Sequence, residues 1–372
     1  MTWYAISRLL IVVAAAVVLV AVGNNRVRSS SVFTVWDGDW YVSVAEHGYL
    51  PDHGVERPSV PPGADTSYDG AVAYFPAFPM IVAATHVVIP LPFNVLSALL
   101  ALGFGATATV VVGRFARESA PEAADRSVLL FVFFPGAFVL SLAYAEGLLI
   151  TAAGVCLLLL ERRRWVLAGL AAAVASATRP NGLALAVACG VAALLAIRRD
   201  REWRAVVAPL LAPLGFLSFL GYLWWRTGVA TYWFQTNAAF WHDSFGAWPE
   251  LHVVLGGSHP DVSTGVGRAV LIVGLLVGLA FLAILVVLLF RARLPTPALA
   301  YALAYEGLAM VAQVLAPRPR LVLAAFPLIV GLAVALKGRF FTIALALSGV
   351  GMFVLFVFYG VTYLGGRPMI AP

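Results

Sequence analysis

Charged residues are scarce in this sequence. Asp, Glu, Lys and Arg make up only 11% of the 372 residues, whereas soluble globular domains carry about 25%. Lys337 is the single lysine, and the two cysteines, Cys156 and Cys189, both lie within apolar runs. The shortage of charge excludes an ordinary soluble domain, and the cysteine positions do not indicate a disulfide framework.

Apolar residues are abundant instead. They account for 62% of the chain, and the mean hydropathy is +0.93. Apolar runs of about 18 residues or more, long enough to cross a bilayer as a helix, recur along most of the sequence. The first run, residues 4–23, lacks a strongly basic start and a small-residue cleavage site, so we expect a retained helix and not a signal peptide. The composition predicts an all-α polytopic membrane protein.

Basic residues are grouped at the ends of the apolar runs. Clusters of basic residues occur in five short segments, which are residues 114–126, 162–164, 198–204, 291–293 and 337–339. Under the positive-inside rule these segments are cytoplasmic, as is the N-terminus with Arg8. The net charge is +6. Because the clusters of basic residues lie at the predicted membrane borders and do not form one continuous face, no nucleic-acid partner is predicted.

This charge pattern predicts about eleven transmembrane helices, with the N-terminus cytoplasmic and the C-terminus outside. Residues 75–92 are interrupted by four prolines. Their unbroken apolar core has only about 10 residues, so we expect them to lie in the interface or to re-enter the membrane. We predict a single integral membrane domain, residues 1–372, with a first external loop at 24–92 and a second at 227–265.

Two aspartates, Asp37 and Asp39, stand out in the first external loop, in the stretch VWDGDWYVSVAEHGY at residues 35–49. Aromatic residues flank them and apolar residues recur at helical spacing, which predicts an amphipathic helix at the interface. Partial burial there is expected to raise the pKa of a carboxyl group and to favour a general base. Because residues i and i+2 diverge on a helix, only one is expected to face a site; an N-cap role is the structural alternative.

Two glutamates interrupt otherwise apolar sequence. Glu146, in AYAEGLL, is predicted to lie at an external turn. It is either a simple turn residue or part of a functional cavity, because a lone acid in apolar surroundings is costly. Glu306, in AYEGLAM, falls near the middle of a predicted helix, where a structural pairing with an arginine and a functional role are both open.

Three arginines lie in predicted external turns. Arg179 precedes a proline in TRPNG, a pattern that opens a helix N-terminus and suits an anion such as phosphate. Arg318 and Arg320, in PRPR at residues 317–320, add positive charge on the same side. Contact with lipid headgroups is the alternative explanation for external arginines. Together with the acids, the three arginines predict a phosphorylated lipid substrate.

Other polar and aromatic residues carry weaker signals. None of the six histidines has metal-ligand spacing to another ligand, so no metal ion or other cofactor is predicted. The aromatic residues of loop 227–265 are typical of an interfacial belt, and stacking on a sugar is the alternative. The later acids of the first loop are expected to be solvated; they are Asp52, Glu56, Asp65 and Asp69.

Several motifs in the same order resemble the PIG-V-type mannosyltransferases, the GPI mannosyltransferase 2 family. WDGDWYVSVAEHGY at residues 36–49 and YFPAFP at 74–79 are similar to the first lumenal loop of that family. YAEG at 144–147, TRPNG at 178–182 and RLVLAAFP at 320–327 are similar to its later motifs. The resemblance spans nearly the whole chain.

The resemblance implies a GT-C glycosyltransferase fold, a polyprenyl-phosphate sugar as donor, and a catalytic acid on the external loop helix. We assign the base to Asp37, with Asp39 as the second candidate. Substrate contacts are predicted for nine further residues, which are Trp36, Trp40, Glu46, His47, Glu146, Arg179, Asn181, Arg318 and Arg320. Tyr74, Ala145 and Gly147 depart from the family pattern, which affects the role of Glu146 more than that of Asp37. The arginine-rich, lysine-poor composition favours a bacterial member.

The predicted reaction is inverting transfer of mannose from a polyprenyl-phosphate-mannose to a hydroxyl of a lipid-linked or glycan acceptor. It takes place among membrane lipids on the outer face of the cell membrane. One alternative is a polytopic transporter or lipid flippase, although transporters often carry internal repeats and none is visible here. Another is a non-catalytic partner of a different glycosyltransferase, because acids and arginines alone do not prove turnover.

Overall fold

The computed structural model describes residues 1–23, 32–50, 57–58, 60–61, 63–241, 265–312 and 317–365. Within these ranges every regular element is helical, which confirms the predicted all-α class. The α-helices are α1 Thr2–Val22, α2 Asp37–His47, α3 Ala77–Val88, α4 Phe93–Ser119, α5 Ala124–Phe133, α6 Glu146–Glu161, α7 Trp165–Thr178, α8 Ala184–Asp200, α9 Val207–Leu211, α10 Leu214–Thr227, α11 Tyr232–Ala239, α12 Gly265–Arg291, α13 Thr296–Ala312, α14 Pro319–Ala324, α15 Pro327–Ala335 and α16 Gly338–Leu364. Short 3₁₀ segments lie between them at Gly70–Ala73, Pro121–Ala123, Pro135–Ser141, Pro180–Leu183 and Trp203–Val206.

Five helical segments of the described chain are long and apolar enough to cross a bilayer. They are Thr2–Val22, Phe93–Ser119, Pro180–Asp200, Leu271–Arg291 and Gly338–Leu364. Two bent pairs raise the number to seven if each pair is one span. The pairs are Pro121–Phe133 with Pro135–Ser141, bent by 70°, and Trp203–Leu211 with Leu214–Thr227, bent by 42°. The chain is a multi-pass membrane protein.

The expected number of about eleven spans is higher than helix length and hydropathy support in the described ranges. α6 and α7 have only 16 and 14 residues. At 1.5 Å per residue they reach about 24 and 21 Å, which is short of a hydrocarbon core about 30 Å thick. α14 and α15 are separate short helices, because the chain turns at Ala325 and Phe326. The apolar pattern therefore located these helices correctly but overestimated their length.

Arg8, which the charge pattern assigns to the cytoplasmic side of the first apolar run, packs inside the protein. It lies in the second turn of α1 and is buried. Its guanidinium donates to the carbonyl oxygens of Val132 and Ala137 at 3.1 and 2.7 Å and to the Ser141 hydroxyl at 3.0 Å. These acceptors flank the 70° bend between α5 and the 3₁₀ segment Pro135–Ser141. Arg8 therefore satisfies carbonyl groups that the interrupted helix leaves without partners.

An aromatic cluster covers α2. Trp40 stacks on Tyr74 with ring centroids 5.5 Å apart, and Trp241 meets Trp40 edge-on at 5.1 Å. Trp233 packs in the same cluster and is also buried. These two tryptophans of loop 227–265 therefore pack on the protein, and the interfacial belt was the wrong interpretation for them. Residues 242–264, including Trp248 and three of the histidines, lie outside the described residues.

Asp69 is not solvated, which corrects the prediction for this acid. Its carboxylate accepts from Arg57 Nη2 at 2.7 Å and Nε at 3.0 Å, and from the backbone N–H groups of Leu50 and Ala71. Arg57 also donates to the Ser43 hydroxyl of α2 at 3.0 Å. Through its bonds to Asp69 and Ser43, Arg57 therefore holds the loop against α2. Asp65 is exposed as expected, whereas Asp52 and Glu56 lie outside the described residues.

Candidate active site

Four predicted site residues lie where helices begin. Asp37 is the first residue of α2, and Glu146 is the first residue of α6. Arg179 precedes the 3₁₀ segment Pro180–Leu183, and Arg320 is the second residue of α14. Pro180 and Pro319 hold the first helical positions there, as their fixed φ favours. The unpaired N–H groups at a helix start favour a carboxylate, which suits the positions of Asp37 and Glu146.

The four side chains meet in one buried ion network. Arg320 Nη1 donates to Asp37 Oδ2 at 2.5 Å, and Arg179 Nη2 lies 3.5 Å from the same oxygen. Arg179 Nη1 donates to Glu146 Oε1, and Arg320 Nη1 lies 3.9 Å from that oxygen. All four residues are at most 9% exposed. The network therefore brings together side chains of the first loop, YAEG, TRPNG and PRPR, the segments predicted to lie on one side of the membrane.

The protonation of Asp37 differs from the sequence-based expectation. Burial alone would raise the pKa of its carboxyl group, but the guanidinium groups of Arg320 and Arg179, with a smaller contribution from Arg318, hold it below its ordinary value. The predicted rise of the pKa is wrong for Asp37, because the sequence did not show how close the arginines lie. Asp37 is therefore a carboxylate at neutral pH.

Asp39 lies on another face of α2 and has different partners. It accepts a hydrogen bond from the Tyr363 hydroxyl at 2.8 Å, near the end of α16. Burial raises its pKa above the ordinary value, and hydrogen bonds with Thr34 and Tyr363 oppose the rise. As expected for residues i and i+2, only one of the two aspartates, Asp37, joins the ion network. The N-cap position is occupied by Trp36, so neither aspartate is the N-cap.

Trp36 turns the chain into α2 in an unusual backbone conformation. Its φ of 59° and ψ of −121° lie in a region that bulky residues rarely adopt. Its ring packs against Tyr363, with centroids 4.8 Å apart. Together with the Asp39–Tyr363 hydrogen bond, this contact ties the start of α2 to α16 and fixes where Asp37 points.

Gly136 allows α14 to approach this network. A Cβ atom at Gly136 would lie 2.2 Å from the Pro319 carbonyl oxygen and 2.7 Å from the Arg320 nitrogen. Real Cβ atoms do not come so close, so the 3₁₀ segment Pro135–Ser141 packs directly on the backbone that carries Arg320 only because residue 136 is glycine.

Tyrosines that the sequence analysis did not single out surround the network. The Tyr144 hydroxyl accepts from the Asp37 backbone N–H at 3.3 Å, and the Arg320 guanidinium lies 5.8 Å from the centre of the Tyr144 ring. Tyr41 and Tyr305 are fully buried and interact electrostatically with Arg179 and Glu146. A signal was available, because both interior glutamates follow a tyrosine closely, in YAEG and in YEG.

Several buried polar atoms near the network lack hydrogen-bond partners in the described structure. They are Glu146 Oε2, Asn181 Nδ2, Arg320 Nε, the Tyr305 hydroxyl and both carboxyl oxygens of Glu306. The structural pairing of Glu306 with an arginine is therefore wrong within the described residues. Such a concentration of unsatisfied groups is unusual in a protein interior and is typical of a place where a polar ligand binds.

Other predicted substrate contacts lie further from the network. Glu46 and His47 are exposed at the end of α2, about 14 Å from Asp37 along the helix axis at 1.5 Å per residue. Trp40 is only 2% exposed and belongs to the aromatic cluster. Arg318, one residue before α14, is half-buried and close enough to attract the Asp37 carboxylate. The structure thus assembles the acids and arginines but not every aromatic and polar residue of the motif.

Comparison with known proteins adds information on the fold. No protein-family model matches the chain, and none of the curated proteins matches it by sequence. By structure it is similar to ArnT from Cupriavidus metallidurans bound to undecaprenyl phosphate, with a TM-score of 0.53 and 15% sequence identity. That match covers 96% of this chain and 78% of ArnT. The apo structure of ArnT gives a TM-score of 0.50, again with 15% identity, over 96% of this chain and 77% of ArnT.

ArnT has the GT-C fold. Because the match extends over nearly the whole chain, the protein has the GT-C glycosyltransferase fold as a helical membrane protein. At 15% identity the similarity defines the fold, and the fold by itself does not assign a substrate.

Proposed function

We propose that this protein is a mannosyltransferase that uses a polyprenyl-phosphate-mannose donor at the outer face of the cell membrane. The observation that carries the proposal is the buried network in which Arg320 and Arg179 hold the Asp37 carboxylate. The GT-C fold supports it, as does the crystal structure of the neighbour ArnT with undecaprenyl phosphate. The choice of mannose rests on the sequence motifs that resemble the PIG-V-type family.

The charge of the network suits a phosphate-linked donor. Two carboxylates, Asp37 and Glu146, face three guanidinium groups, those of Arg179, Arg318 and Arg320. A phosphodiester brings one negative charge to these guanidinium groups. Arginine forms strong charge-assisted hydrogen bonds with phosphate oxygens. Because the side chains of Arg179 and Arg320 are only 11% and 4% exposed, their attraction for the donor is little screened by water.

The proposed reaction is a single displacement at the anomeric carbon of the sugar. The acceptor hydroxyl attacks from the side opposite the phosphate, and its proton passes to Asp37 as the new glycosidic bond forms. The bond from the anomeric carbon to the phosphate oxygen breaks, and the electron pair leaves with the polyprenyl phosphate. Arg179, Arg318 and Arg320 stabilise the charge that develops on this leaving group. One displacement inverts the anomeric configuration.

A carboxylate of low pKa can still serve as the base here. Asp37 is ionised throughout the neutral range, so it is always ready to accept a proton. The acceptor hydroxyl becomes much more acidic once its oxygen bonds to the sugar, and a late proton transfer therefore needs only a positioned, ionised group. The ion pair with Arg320 fixes that position.

A direct assay distinguishes the proposed enzyme from its alternatives. Purified protein is reconstituted in vesicles with labelled polyprenyl-phosphate-mannose and an extract of bacterial membrane lipids, and labelled products are separated from the donor. We expect a new labelled glycolipid or glycan. Movement of the donor across the bilayer without a new product would indicate a flippase. Absence of both, with product formed only when a second transferase is added, would indicate a non-catalytic partner.

The pH dependence of kcat/KM for the donor identifies the base. This quantity reports the protonation of groups in the free enzyme. Because the arginines hold the pKa of Asp37 below its ordinary value of 3.8, Asp37 stays deprotonated on acidification, and we expect no acidic fall in kcat/KM between about pH 7 and 5. Asp39 has a raised pKa, so a base at Asp39 would lose activity at a higher pH than Asp37 would. A fall in kcat/KM that begins near neutrality in wild type and disappears in Asp39→Asn would contradict the assignment to Asp37.

A further inference from the structure

Adjacent residues of α13, Tyr305 and Glu306, are buried without hydrogen-bond partners. Tyr305 is 0% exposed and Glu306 is 4% exposed. The Tyr305 hydroxyl and both Glu306 oxygens have no partner in the described structure. Polar groups in protein interiors are nearly always hydrogen-bonded, and an ionisable residue inside a membrane protein usually has a function. Three buried polar atoms without hydrogen-bond partners, on two adjacent residues, therefore indicate a site that binds a polar ligand.

Tyr305 lies beside the ion network, and Glu306 is the next residue of the same helix. The Tyr305 hydroxyl interacts electrostatically with Arg179 and Glu146 of the network and with Glu306. α13 also packs against the 3₁₀ segment Pro180–Leu183, which carries Asn181. The Asn181 side chain is only 5% exposed, and its Nδ2 likewise has no partner in the described part of the chain. The Tyr305 phenol therefore lies close to Arg179, Glu306 follows it in the helix, and Asn181 lies in the 3₁₀ segment that packs against that helix.

We propose that Glu306, Tyr305 and Asn181 form a subsite that binds the hydroxyl groups of the donor sugar, an inference that rests on the glycosyl transfer proposed above. The sugar is joined to the phosphate through a single oxygen, so it must lie next to the arginines that hold the phosphate. A sugar hydroxyl both donates and accepts hydrogen bonds. The carboxyl group of Glu306 accepts, the amide N–H groups of Asn181 donate, and the Tyr305 hydroxyl does either.

The same helix contains a tyrosine whose role is structural. Tyr301 is also 0% exposed, but its hydroxyl donates to the Ala324 carbonyl at 3.0 Å. It therefore joins α13 to α14 through a satisfied hydrogen bond, whereas the Tyr305 hydroxyl has none. The two residues are one helical turn apart and make a matched pair for mutation to phenylalanine.

The test compares a sugar-bearing ligand, whose phosphate is a diester, with a ligand that lacks the sugar and carries a monoester phosphate. Dissociation constants for polyprenyl-phosphate-mannose and for undecaprenyl phosphate are measured with the full-length protein in detergent or nanodiscs. Glu306→Leu is expected to weaken binding of the sugar-bearing donor by about tenfold, the loss expected when a buried carboxyl group that makes one or two hydrogen bonds to the sugar is removed. Binding of undecaprenyl phosphate is expected to stay within about twofold of wild type. Tyr305→Phe should act in the same direction with a smaller effect.

Thermal unfolding separates this role from a structural one. Removal of an unsatisfied buried carboxyl is expected to leave the unfolding midpoint of Glu306→Leu unchanged or higher. Tyr301→Phe is expected to lower the midpoint and to leave donor binding unchanged. The inference is overturned if Glu306→Leu weakens both ligands equally, or neither, in a protein that still transfers the sugar. If wild type binds both ligands equally and transfers nothing, the proposed function itself is wrong.

Discussion

Asp37→Asn is expected to lower the rate of sugar transfer by about 10²–10⁴-fold, the contribution typical of a positioned general base. The amide keeps the shape of the carboxylate but cannot take the proton of the acceptor hydroxyl. It also removes the negative charge that Arg320 meets at 2.5 Å. The measurement is kcat with saturating donor in reconstituted vesicles, together with the amount of folded protein recovered after purification. We expect folded protein with a lower unfolding midpoint than wild type, because asparagine still accepts a hydrogen bond from Arg320 but no longer balances its buried charge.

Substitutions of two other aspartates of the first loop, Asp39 and Asp65, serve as controls for that result. Asp39→Asn removes a carboxylate two residues away that bonds to Tyr363 and not to the arginines, and we expect a reduction of less than about tenfold. Asp65→Asn changes an exposed loop residue whose side chain accepts hydrogen bonds from nearby Ser67 and should have no effect. If Asp37→Asn transfers the sugar at a near-normal rate and Asp39→Asn does not, the general base is Asp39 and not Asp37.

Replacement of Arg320 by methionine is expected to lower both stability and donor use. Arg320 lies against Asp37 and near Glu146, and its side chain is 4% exposed. Removal of one partner of a buried ion pair costs about 3–5 kcal/mol, because the remaining charge stays buried. The variant also loses a donor to the leaving phosphate, which is typically worth about 10²–10³ in rate. Thermal unfolding and kcat/KM for the donor measure the two effects separately.

A double variant tests whether the two effects have different origins. Asp37→Leu with Arg320→Met removes both charges of the pair, and apolar replacement of a whole buried pair is often neutral for stability. We therefore expect its unfolding midpoint to lie above that of Arg320→Met alone, while transfer stays at background. Arg126→Met is the matched control, since Arg126 is a half-buried arginine that donates to the Ala333 carbonyl. An unchanged kcat/KM for the donor in Arg320→Met would show that Arg320 does not bind the phosphate.

The prediction of the fold from the sequence was most reliable where one property dominated. Long apolar runs predicted α1, α4, α12 and α16, because a helix is the simplest way to satisfy the backbone inside a membrane. Hydrophobicity does not report where a helix bends, however. The sequence therefore did not predict the 70° bend after α5 or the short α14 and α15, and five to seven spans of the described residues have the length and hydropathy of a membrane crossing.

The candidate site was also only partly predictable. The motifs located Asp37, Glu146, Arg179 and Arg320 in turns that were expected to share one side of the membrane. They could not show that Tyr144 and Tyr305 surround these residues, since both are contributed by packing between helices. The pKa of Asp37 was predicted in the wrong direction for the same reason: burial follows from the apolar flanks, whereas the nearby guanidinium groups come from residues 142 and 283 positions away.

The sequence by itself determined that this is an all-helical membrane protein whose few charges are grouped in turns. Hydropathy and charge are properties of individual residues, so they can be read along the chain. Only the tertiary structure decided that the Asp37 carboxylate faces Arg320 while Asp39 faces Tyr363, and that Glu306 has no partner in the described chain. The interaction energy of a charge inside a protein depends on how far away and how deeply buried its partners are. Both distance and burial are determined by how separate helices pack.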